Sequence, residues 1–514
     1  MVIIQILLFL VILGVIVLVH EFGHFYFARK AGILIHEFSI GMGPAIYSKR
    51  SRDDILFSIK AFPIGGSVAM SGEELNESFL KEGQNIWISL EKNEISKIYF
   101  KKVNENLNEG HIIKYESTDD GNFLVFSNLE GQNRYRLSKK CKIYFNKNRY
   151  YRIANPENLF QSKTISQRFK VIFGGPLMNF ILAFFIYIAI AFFVMAPDLK
   201  DNTIGSIQDG GPASILEIRT GDRITSINGE LVNNWNDISE ILYSSNSIYA
   251  NVTIMSENGD LNVYDKLLLD SSIVTIGFSN LRQGENGEAI IDTFGRAQEA
   301  GIENQSILRK LTHNEIIYEI YDVDDVIDFF TKVQSGQVEV EYTTDDFINK
   351  TTTVTLISKE TLEELGYNDI YLQLGVGPMM KSDLLYSISY PFVSIYENFS
   401  NIFTTIRLLF SPNQGVDASD LSGPIGIFSL ISRASSEGVI ELISFTAFLS
   451  INIGVLNLLP IPALDGGRLV FLLYEWIFKR KIHPRIENLL NYLVFYFLMG
   501  LIVYVTYNDL LRLF

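Results

Sequence analysis

The feature that most constrains this chain is an uncharged apolar run that ends in two histidines and a glutamate. Residues 2–19 read VIIQILLFLVILGVIVLV, and residues 17–28 read VLVHEFGHFYFA. A polar group at membrane depth is costly unless it is paired or hydrated, so such a group usually marks a functional site. We therefore expect His20, Glu21 and His24 to carry the function of this protein.

Four segments are apolar and long enough to cross a bilayer, which takes roughly 20 residues of helix. They cover 2 to about 26, about 171–196, about 442–464 and about 489–505. The first segment also has the apolar character of a signal peptide. It lacks a basic start and a small-residue cleavage site, however, and it runs directly into HEFGH, so we interpret it as a membrane span.

Basic residues indicate the orientation of these spans. They follow the first span, precede the second and separate the third from the fourth, at Arg29, Lys30, Lys49, Arg50, Arg52, Arg168, Lys170, Lys479, Arg480, Lys481 and Arg485. The positive-inside rule places them in the cytoplasm. The sequence therefore predicts a multi-pass membrane protein with both termini outside the cytoplasm.

The predicted fold class is a polytopic α-helical membrane protein with four transmembrane helices, extracytoplasmic β-rich PDZ-like domains and a β-rich cytoplasmic insertion. Hydrophobic residues make up 47% of the 514 residues, concentrated in a few segments, which supports this class. We expect helix 1 at 1–30, a membrane-associated β-hairpin region at 31–73, the insertion at 74–158, helix 2 at 159–197, PDZ-like domains at 198–280 and 281–380, an amphipathic membrane-surface segment at 381–436, and helices 3 and 4 at 437–514.

Charge and cysteine content exclude two classes of function. The net charge of −15 gives no basic face for nucleic acid. The single cysteine, Cys141, excludes a disulfide framework and a cysteine-rich metal site.

The PDZ prediction comes from residues 203–242, where β-type runs alternate with turns and the pattern GDRITSINGE occurs. This pattern resembles a circularly permuted bacterial PDZ domain, a module that binds an extended chain at a sheet edge. A second, degraded copy occupies 295–316 and 323–330 and lacks the GDxIxxxNG core. A β-rich spacer that shields the membrane part is the alternative for both copies.

The HEFGH motif predicts a metal site. Positions i and i+4 share one face of a helix, so His20 and His24 present two imidazole nitrogens to one ion. Glu21 is placed to take a proton from a water that the metal activates.

A catalytic zinc ion needs a third protein ligand. The pair His36–Glu37 is one candidate, in a loop just downstream. Asp465 is the favoured one, because it lies in NLLPIPALDGG, residues 457–467, where prolines and glycines break a helix at the end of an apolar span. Such breaks occur at membrane depth only where protein or water surrounds them.

Seven motifs in the same order resemble the site-2 protease family, most closely the bacterial regulator-of-sigma-E protease type. They are HEFGH, FSIGMGP (38–44), FPIGGSVAMSGE (62–73), GGPLMNF (174–180), the PDZ pair, LSGPIGI (421–427) and NLLPIPALDGG. The resemblance implies an intramembrane zinc metalloprotease with His20, His24 and Asp465 as Zn²⁺ ligands and Glu21 as the base. It also implies that Asn179 and Asn457 hold the substrate backbone, and that the hairpin edge pairs with substrate. The insertion at 74–158 is longer than the family pattern.

The expected substrates are single-span membrane proteins within the lipid bilayer that an upstream protease has already trimmed, such as anti-sigma factors or remnant signal peptides. Two alternatives belong to other classes. A non-catalytic PDZ scaffold would predict an incomplete metal set, whereas a soluble-type zinc peptidase anchored by its N-terminus would not need Asp465.

Overall fold

The computed structural model describes residues 2–73, 80–103, 107–118, 120–128, 131–145, 150–193, 195–208, 211–216, 218–245, 247–284, 286–344, 346–409 and 421–511. Two compact units result. The first combines Met1–Tyr187 with Pro424–Tyr504, and the second combines Ile188–Gly423 with Val505–Phe514.

Within the described ranges, four helices are long and apolar enough to cross a membrane, as the sequence predicts. They are Ile3–Lys30, Ile165–Phe193, Val439–Leu458 and Arg485–Leu511. The third ends at Leu458 and not near residue 464. Pro460 and Pro462 explain the earlier end, since proline supplies no amide hydrogen and disfavours helix in the residue before it.

The first unit begins with α1, Val2–Lys30, followed by strands β1, Ile35–Arg50, and β2, Leu56–Met70. Both strands bend, so the first part of β1 lies between two parts of β2. It pairs with 66–70 on one side and with 56–59 on the other.

The far part of this hairpin exposes large apolar side chains. Met42, Ile46, Tyr47, Ile59 and Phe62 all lie on its surface. A contiguous exposed apolar surface of this kind is typical of a membrane or protein contact.

A small barrel follows the hairpin. Its strands are β3, Asn85–Glu91; β4, Glu94–Tyr99; β5, Asn108–Thr118; β6, Gly121–Asn128; β7, Gly131–Tyr144; and β8, Tyr150–Arg152. The strand order is β4-β3-β5-β6-β7-β8, and β4 also pairs with β7 in parallel, which closes five strands into a barrel. Isoleucines such as Ile86, Ile95 and Ile98 fill the interior together with Cys141.

The barrel is joined to the turn between β1 and β2 through Asp54. The Asp54 carboxylate accepts hydrogen bonds from Lys142 Nζ (2.9 Å) and from the Tyr150 hydroxyl (2.7 Å). Arg50 lies over the Tyr150 ring, 4.1 Å from its centroid, and donates to the Tyr150 carbonyl. These contacts fix the inserted barrel to the hairpin.

Helix α2, Ile165–Phe193, leads into the second unit, where β9, Ala196–Pro197, comes first. One core then forms around β10, Ile204–Ile207; β11, Arg223–Ile227; β12, Glu230–Leu231; α3, Trp235–Ser244; β13, Tyr249–Met255; and β14, Leu261–Leu268.

A second core continues the chain. Its elements are β15, Asp270–Ile273; β16, Phe278–Gln283; β17, Ala289–Thr293; α4, Gly295–Glu299; β18, Ser306–His313; β19, Ile316–Glu319; α5, Val323–Lys332; β20, Gly336–Thr343; β21, Asn349–Leu356; and α6, Lys359–Glu364. The sheet order is β21-β20-β18-β17-β16-β15-β22, with β19 beside β18.

The chain then returns to the first core. Strand β22, Ile370–Gln373, pairs with β15, and β23, Val376–Pro378, pairs with β10. The second core is therefore inserted within the first, whereas the sequence suggested two consecutive domains with a boundary at 280. The difference arises because a strand pairing between residues so far apart in the chain has no local sequence signal.

The two cores contain the same type of helix N-cap. Asn234 caps α3 in a reciprocal pair with Asp237, and Asp322 caps α5 in the same way with Asp325. Such capping boxes satisfy amides at a helix start that would otherwise lack partners.

Strand β24, Met380–Lys381, pairs with β9 and leads into α7, Leu384–Leu409. Its exposed apolar residues recur every three or four positions, at Leu385, Ile388, Phe392, Tyr396 and Phe399. This spacing forms one continuous apolar stripe along the helix.

The last helices are α8, Pro424–Glu437; α9, Val439–Leu458; α10, Asp465–Phe478; and α11, Pro484–Leu511. In the first unit, Ile431 of α8 and Leu449 of α9 pack against Ile12 and Ile16 of α1. These contacts involve residues of α1 that precede His20, so the polar end of the helix is available for the site described below.

Replacing Asp54 tests the junction between barrel and hairpin. Burial opposes ionisation, but the hydrogen bonds from Tyr150 and Lys142 hold the pKa of Asp54 below its usual range. Asp54→Asn should weaken the junction by about 1 kcal/mol, since hydrogen bonds to a charged group are lost. Amide hydrogen exchange in β8 should accelerate several-fold at pH 7.

The matched control is Asp53→Asn, because the Asp53 carboxylate forms an exposed ion pair with Arg29, which contributes little to stability. Because ionised Asp54 stabilises the junction, that contribution is complete above about pH 4 and is lost as the pH falls through its lowered pKa. Equal exchange in β8 for both variants would contradict a joining role for Asp54.

Candidate metal centre and active site

Helix α1 places His20 and His24 one turn apart, with their Nε2 atoms 3.2 Å from each other. Both residues are buried, although they belong to a strongly apolar span whose first 18 residues carry no charge. Their convergence follows from the i, i+4 spacing.

Asp465 is the first residue of α10 and comes directly after the Pro-rich turn that ends the third span. Its Oδ2 atom lies 3.2 Å from His20 Nε2 and 3.3 Å from His24 Nε2. The structure therefore brings the favoured third ligand to the two histidines.

These three atoms fit a zinc ion. A tetrahedral zinc with ligands at about 2.0–2.1 Å separates its ligand atoms by about 3.3 Å. Asp465 Oδ2 is buried and accepts no hydrogen bond of acceptable geometry from the described residues, as a metal ligand would. The donor set of two imidazoles and one carboxylate suits zinc and leaves a position open.

Gly175 of α2 provides the space for the ion. A methyl group at its Cα would lie 2.8 Å from His20 Nε2 and closer still to His24 Nε2. Any larger residue there would occupy the volume between the ligand atoms.

The alternative pair His36–Glu37 is engaged elsewhere. His36 Nε2 lies 2.6 Å from Ser71 Oγ, and Glu37 bonds to Ser58 and Lys60 in the hairpin. Burial lowers the pKa of His36 to about 4, and the charges of Arg50 and Arg152 act in the same direction. The structure therefore gives no support to this pair as the third ligand.

A backbone carbonyl fixes the orientation of the His24 ring on the side opposite Nε2. Its Nδ1 lies 2.9 Å from the Val171 carbonyl oxygen, so the Nδ1–H donates to it and leaves the lone pair of Nε2 for a metal.

Three contacts hold Asp465 in place. Asn491 of α11 accepts a hydrogen bond from the Ala463 amide (3.0 Å), where the backbone adopts a positive φ of 74°. Arg468 pairs with Glu73 at the end of β2. Arg168 of α2 makes two parallel hydrogen bonds of 2.7 and 2.9 Å to Glu475 of α10.

Glu21 is 9% exposed and lies against β2. A methyl group at Gly66 would come within 2.6 Å of Glu21 Cγ, so the glycine allows this strand to contact the predicted base. The contact brings the 66–70 segment of β2 to the site.

The two asparagines predicted to hold substrate occupy different places. Asn179 is fully buried, with its amide nitrogen 3.4 Å from His20 Nδ1. Asn457 is half-buried, and its amide donates to the Ile453 carbonyl (2.9 Å) in its own helix. Their predicted role in substrate binding stays a prediction.

Three further residues near the site, Gly175, Gly66 and Asn491, are not among those that the sequence predicts to be functional. The two glycines lie inside motifs that were recognised, but only a close approach in space reveals their task. Asn491 had the same signal as His20, a polar residue within an apolar helix.

Two imidazoles and a carboxylate around one point, beside a buried glutamate, form a set of groups suited to metal-dependent hydrolysis. The chain belongs to peptidase family M50, whose model matches residues 8–501. It is 29% identical over 516 residues to zinc metalloprotease RasP of Shouchella clausii, covering 99% of both chains. It is also 29% identical over 511 residues to zinc metalloprotease RasP of Bacillus licheniformis, covering 98% of both chains.

Membership of this family confirms the predicted family and the predicted enzyme class, a metalloprotease. It also agrees with zinc as the metal. The apolar helices and the family also agree with a location in a membrane.

Gly175→Ala tests whether the space between the ligands holds the metal. The added methyl group would lie against the Nε2 atoms of both histidines, so zinc in the purified protein should fall from about one equivalent to about a tenth or less. Metal analysis of protein in detergent gives the answer.

Gly14→Ala is the matched control, because a methyl group at this glycine of α1 meets no atom within 4 Å. It should keep the zinc content of the wild type. Full zinc content in Gly175→Ala would place the metal elsewhere.

Proposed function

We propose that this protein is an intramembrane zinc metalloprotease that cleaves transmembrane segments of single-span membrane proteins. The observation that carries the proposal is the cluster of His20, His24 and Asp465, whose side chains are only 10%, 11% and 13% exposed. Ionisable residues beside an apolar span are costly and mark a function, and two imidazoles with a carboxylate at one point are a donor set for zinc.

A zinc ion held there would polarise a peptide carbonyl and lower the pKa of a water molecule. Glu21 acts as general base, taking a proton from the attacking water and returning it to the leaving amine. His24 is kept in the required tautomer by the Val171 carbonyl, and the contacts of Arg468 and Asn491 hold Asp465 in position.

The substrate must be unwound before its peptide bond can react, and its freed amides then need partners. The 66–70 segment of β2 supports this step, because it contacts Glu21 and no other described strand pairs with its outer side. We propose that substrate adds here as an extended strand. Asn457 is the further candidate for holding its backbone.

We propose single-span proteins already trimmed outside the membrane as substrates, among them anti-sigma factors and remnant signal peptides. This is regulated intramembrane proteolysis, with an upstream protease that does the trimming. We propose a bacterial cytoplasmic membrane as the location, and the basic residues beside the spans favour both termini outside the cytoplasm.

The second unit then lies outside the cell membrane, and we propose PDZ-like peptide binding for its first core. A groove of about 840 Å³ supports this, lined by α3 and by β22 and β23. Trp235, Leu372 and Leu374 give it an apolar floor, and the exposed residue Ser239 lies on its helical side. The apolar stripe of α7 fits a helix that lies on the outer membrane surface.

The deciding experiment measures cleavage of tagged, pre-trimmed single-span substrates in membranes by wild type and by Glu21→Gln. Loss of the base should lower cleavage by on the order of 10²–10⁴-fold and leave zinc bound. Asp465→Ala should lose both zinc and activity.

Equal cleavage by wild type and Glu21→Gln would refute the role of Glu21. Zinc retained in Asp465→Ala would favour the anchored soluble-type peptidase. No cleavage of any substrate by zinc-loaded wild type would favour the PDZ scaffold.

The groove is tested by Ser239→Arg, which fills it without disturbing the core because Ser239 is exposed. If the groove holds the trimmed end of the substrate, KM should rise several-fold with kcat unchanged. Thr220→Arg adds the same charge at an exposed position outside the groove and should leave KM as it is. Unchanged kinetics in both variants would support the spacer interpretation.

A further inference from the structure

Asn179 occupies a position that the chemistry of substrate binding does not explain. Its side chain is fully buried in α2, so a substrate cannot reach it in this structure. Its backbone carbonyl accepts a hydrogen bond from Ser450 Oγ (2.9 Å) of α9, which fixes the residue between two spans. Its amide nitrogen faces His20 Nδ1 at 3.4 Å.

The two histidines need the same support. An imidazole that binds a metal through Nε2 carries its proton on Nδ1, and that N–H needs an acceptor. His24 finds one in the Val171 carbonyl. For His20 the group within reach is the side-chain amide of Asn179.

The side-chain amide of Asn179 has two possible orientations, which differ by a rotation of 180° that exchanges its oxygen and nitrogen. Oxygen and nitrogen of an asparagine amide have nearly the same shape, so the hydrogen-bond network decides which one faces a neighbour. In the present orientation, Asn179 Oδ1 is buried without a hydrogen-bond partner among the described residues. Rotating the amide by 180° brings Oδ1 to the His20 Nδ1–H and satisfies both groups.

We infer that Asn179 is a positioning residue for the metal centre: its Oδ1 accepts the hydrogen bond of His20 Nδ1–H and thereby directs the Nε2 lone pair at the zinc. Val171 does the same for His24 with a backbone carbonyl. The inference rests on one part of the proposed function, namely that His20, His24 and Asp465 bind zinc. It assigns Asn179 to the metal, and leaves Asn457 as the candidate for the substrate backbone.

Zinc affinity tests this role without any substrate. Competition with a chelating dye is measured on the full-length protein in detergent, with Glu21→Gln present in every variant so that catalysis plays no part. Asn179→Leu keeps the size of the side chain and removes the acceptor, and should weaken zinc binding by about 10–100-fold. Asn179→Asp keeps an acceptor oxygen and should bind zinc at least as tightly as the parent.

Asn452→Leu is the matched control, because Asn452 lies in α9 and donates to the Phe448 carbonyl of its own helix (3.1 Å). Its zinc affinity should equal that of the parent. Parental affinity in Asn179→Leu overturns the inference, and a slower cleavage by that variant in the active background would then return Asn179 to substrate binding.

If Asn179→Leu does not fold, the zinc affinity of Asn179→Asp tests the inference instead. Weakened zinc binding in this variant, which keeps an acceptor oxygen, overturns the inference, and retained binding supports it. A parent that binds no zinc at all would refute the proposed function itself. Failure of the two proposals is therefore distinguishable.

Discussion

The structure depends on the meeting of three ligand atoms, two from α1 and one from the start of α10, in apolar surroundings. An ionised aspartate is expensive to bury without compensation, so this arrangement suits a site that binds a divalent cation. Several contacts hold the helix and the turn that carry Asp465. The Arg168–Glu475 pair fixes α10 to α2, and Asn491 fixes the turn that precedes Asp465.

Close approach of backbones is the second requirement. Gly23 of α1 and Gly174 of α2 touch, and a methyl group on either would collide with the other helix. In membranes, such small residues allow helices to pack where the hydrophobic effect gives no drive for association. The neighbouring Gly175 then opens room for an ion, and Gly66 lets β2 approach Glu21. One short motif thus combines helix packing with space for the metal.

The aqueous parts show how modules are added without disturbing the site. The barrel enters between β2 and α2 and is fixed to the hairpin through Asp54 and Tyr150, so its attachment is local. In the second unit, one β-rich core is inserted into another, and both use the same capping device at Asn234 and Asp322. Barrel closure and insertion both depend on strand pairs that are distant in the chain.

The sequence by itself determined the spans, the helical face shared by His20 and His24, and the glutamate beside them, because these depend on composition and on the i, i+4 period. It also singled out Asp465, since proline and glycine breaks beside a span are visible in the sequence alone. Only the tertiary structure brought Asp465, and not His36–Glu37, to the two histidines, and only it placed Asn179 beside His20. The physical reason is that distances between residues remote in the chain are set by packing, which has no local signal.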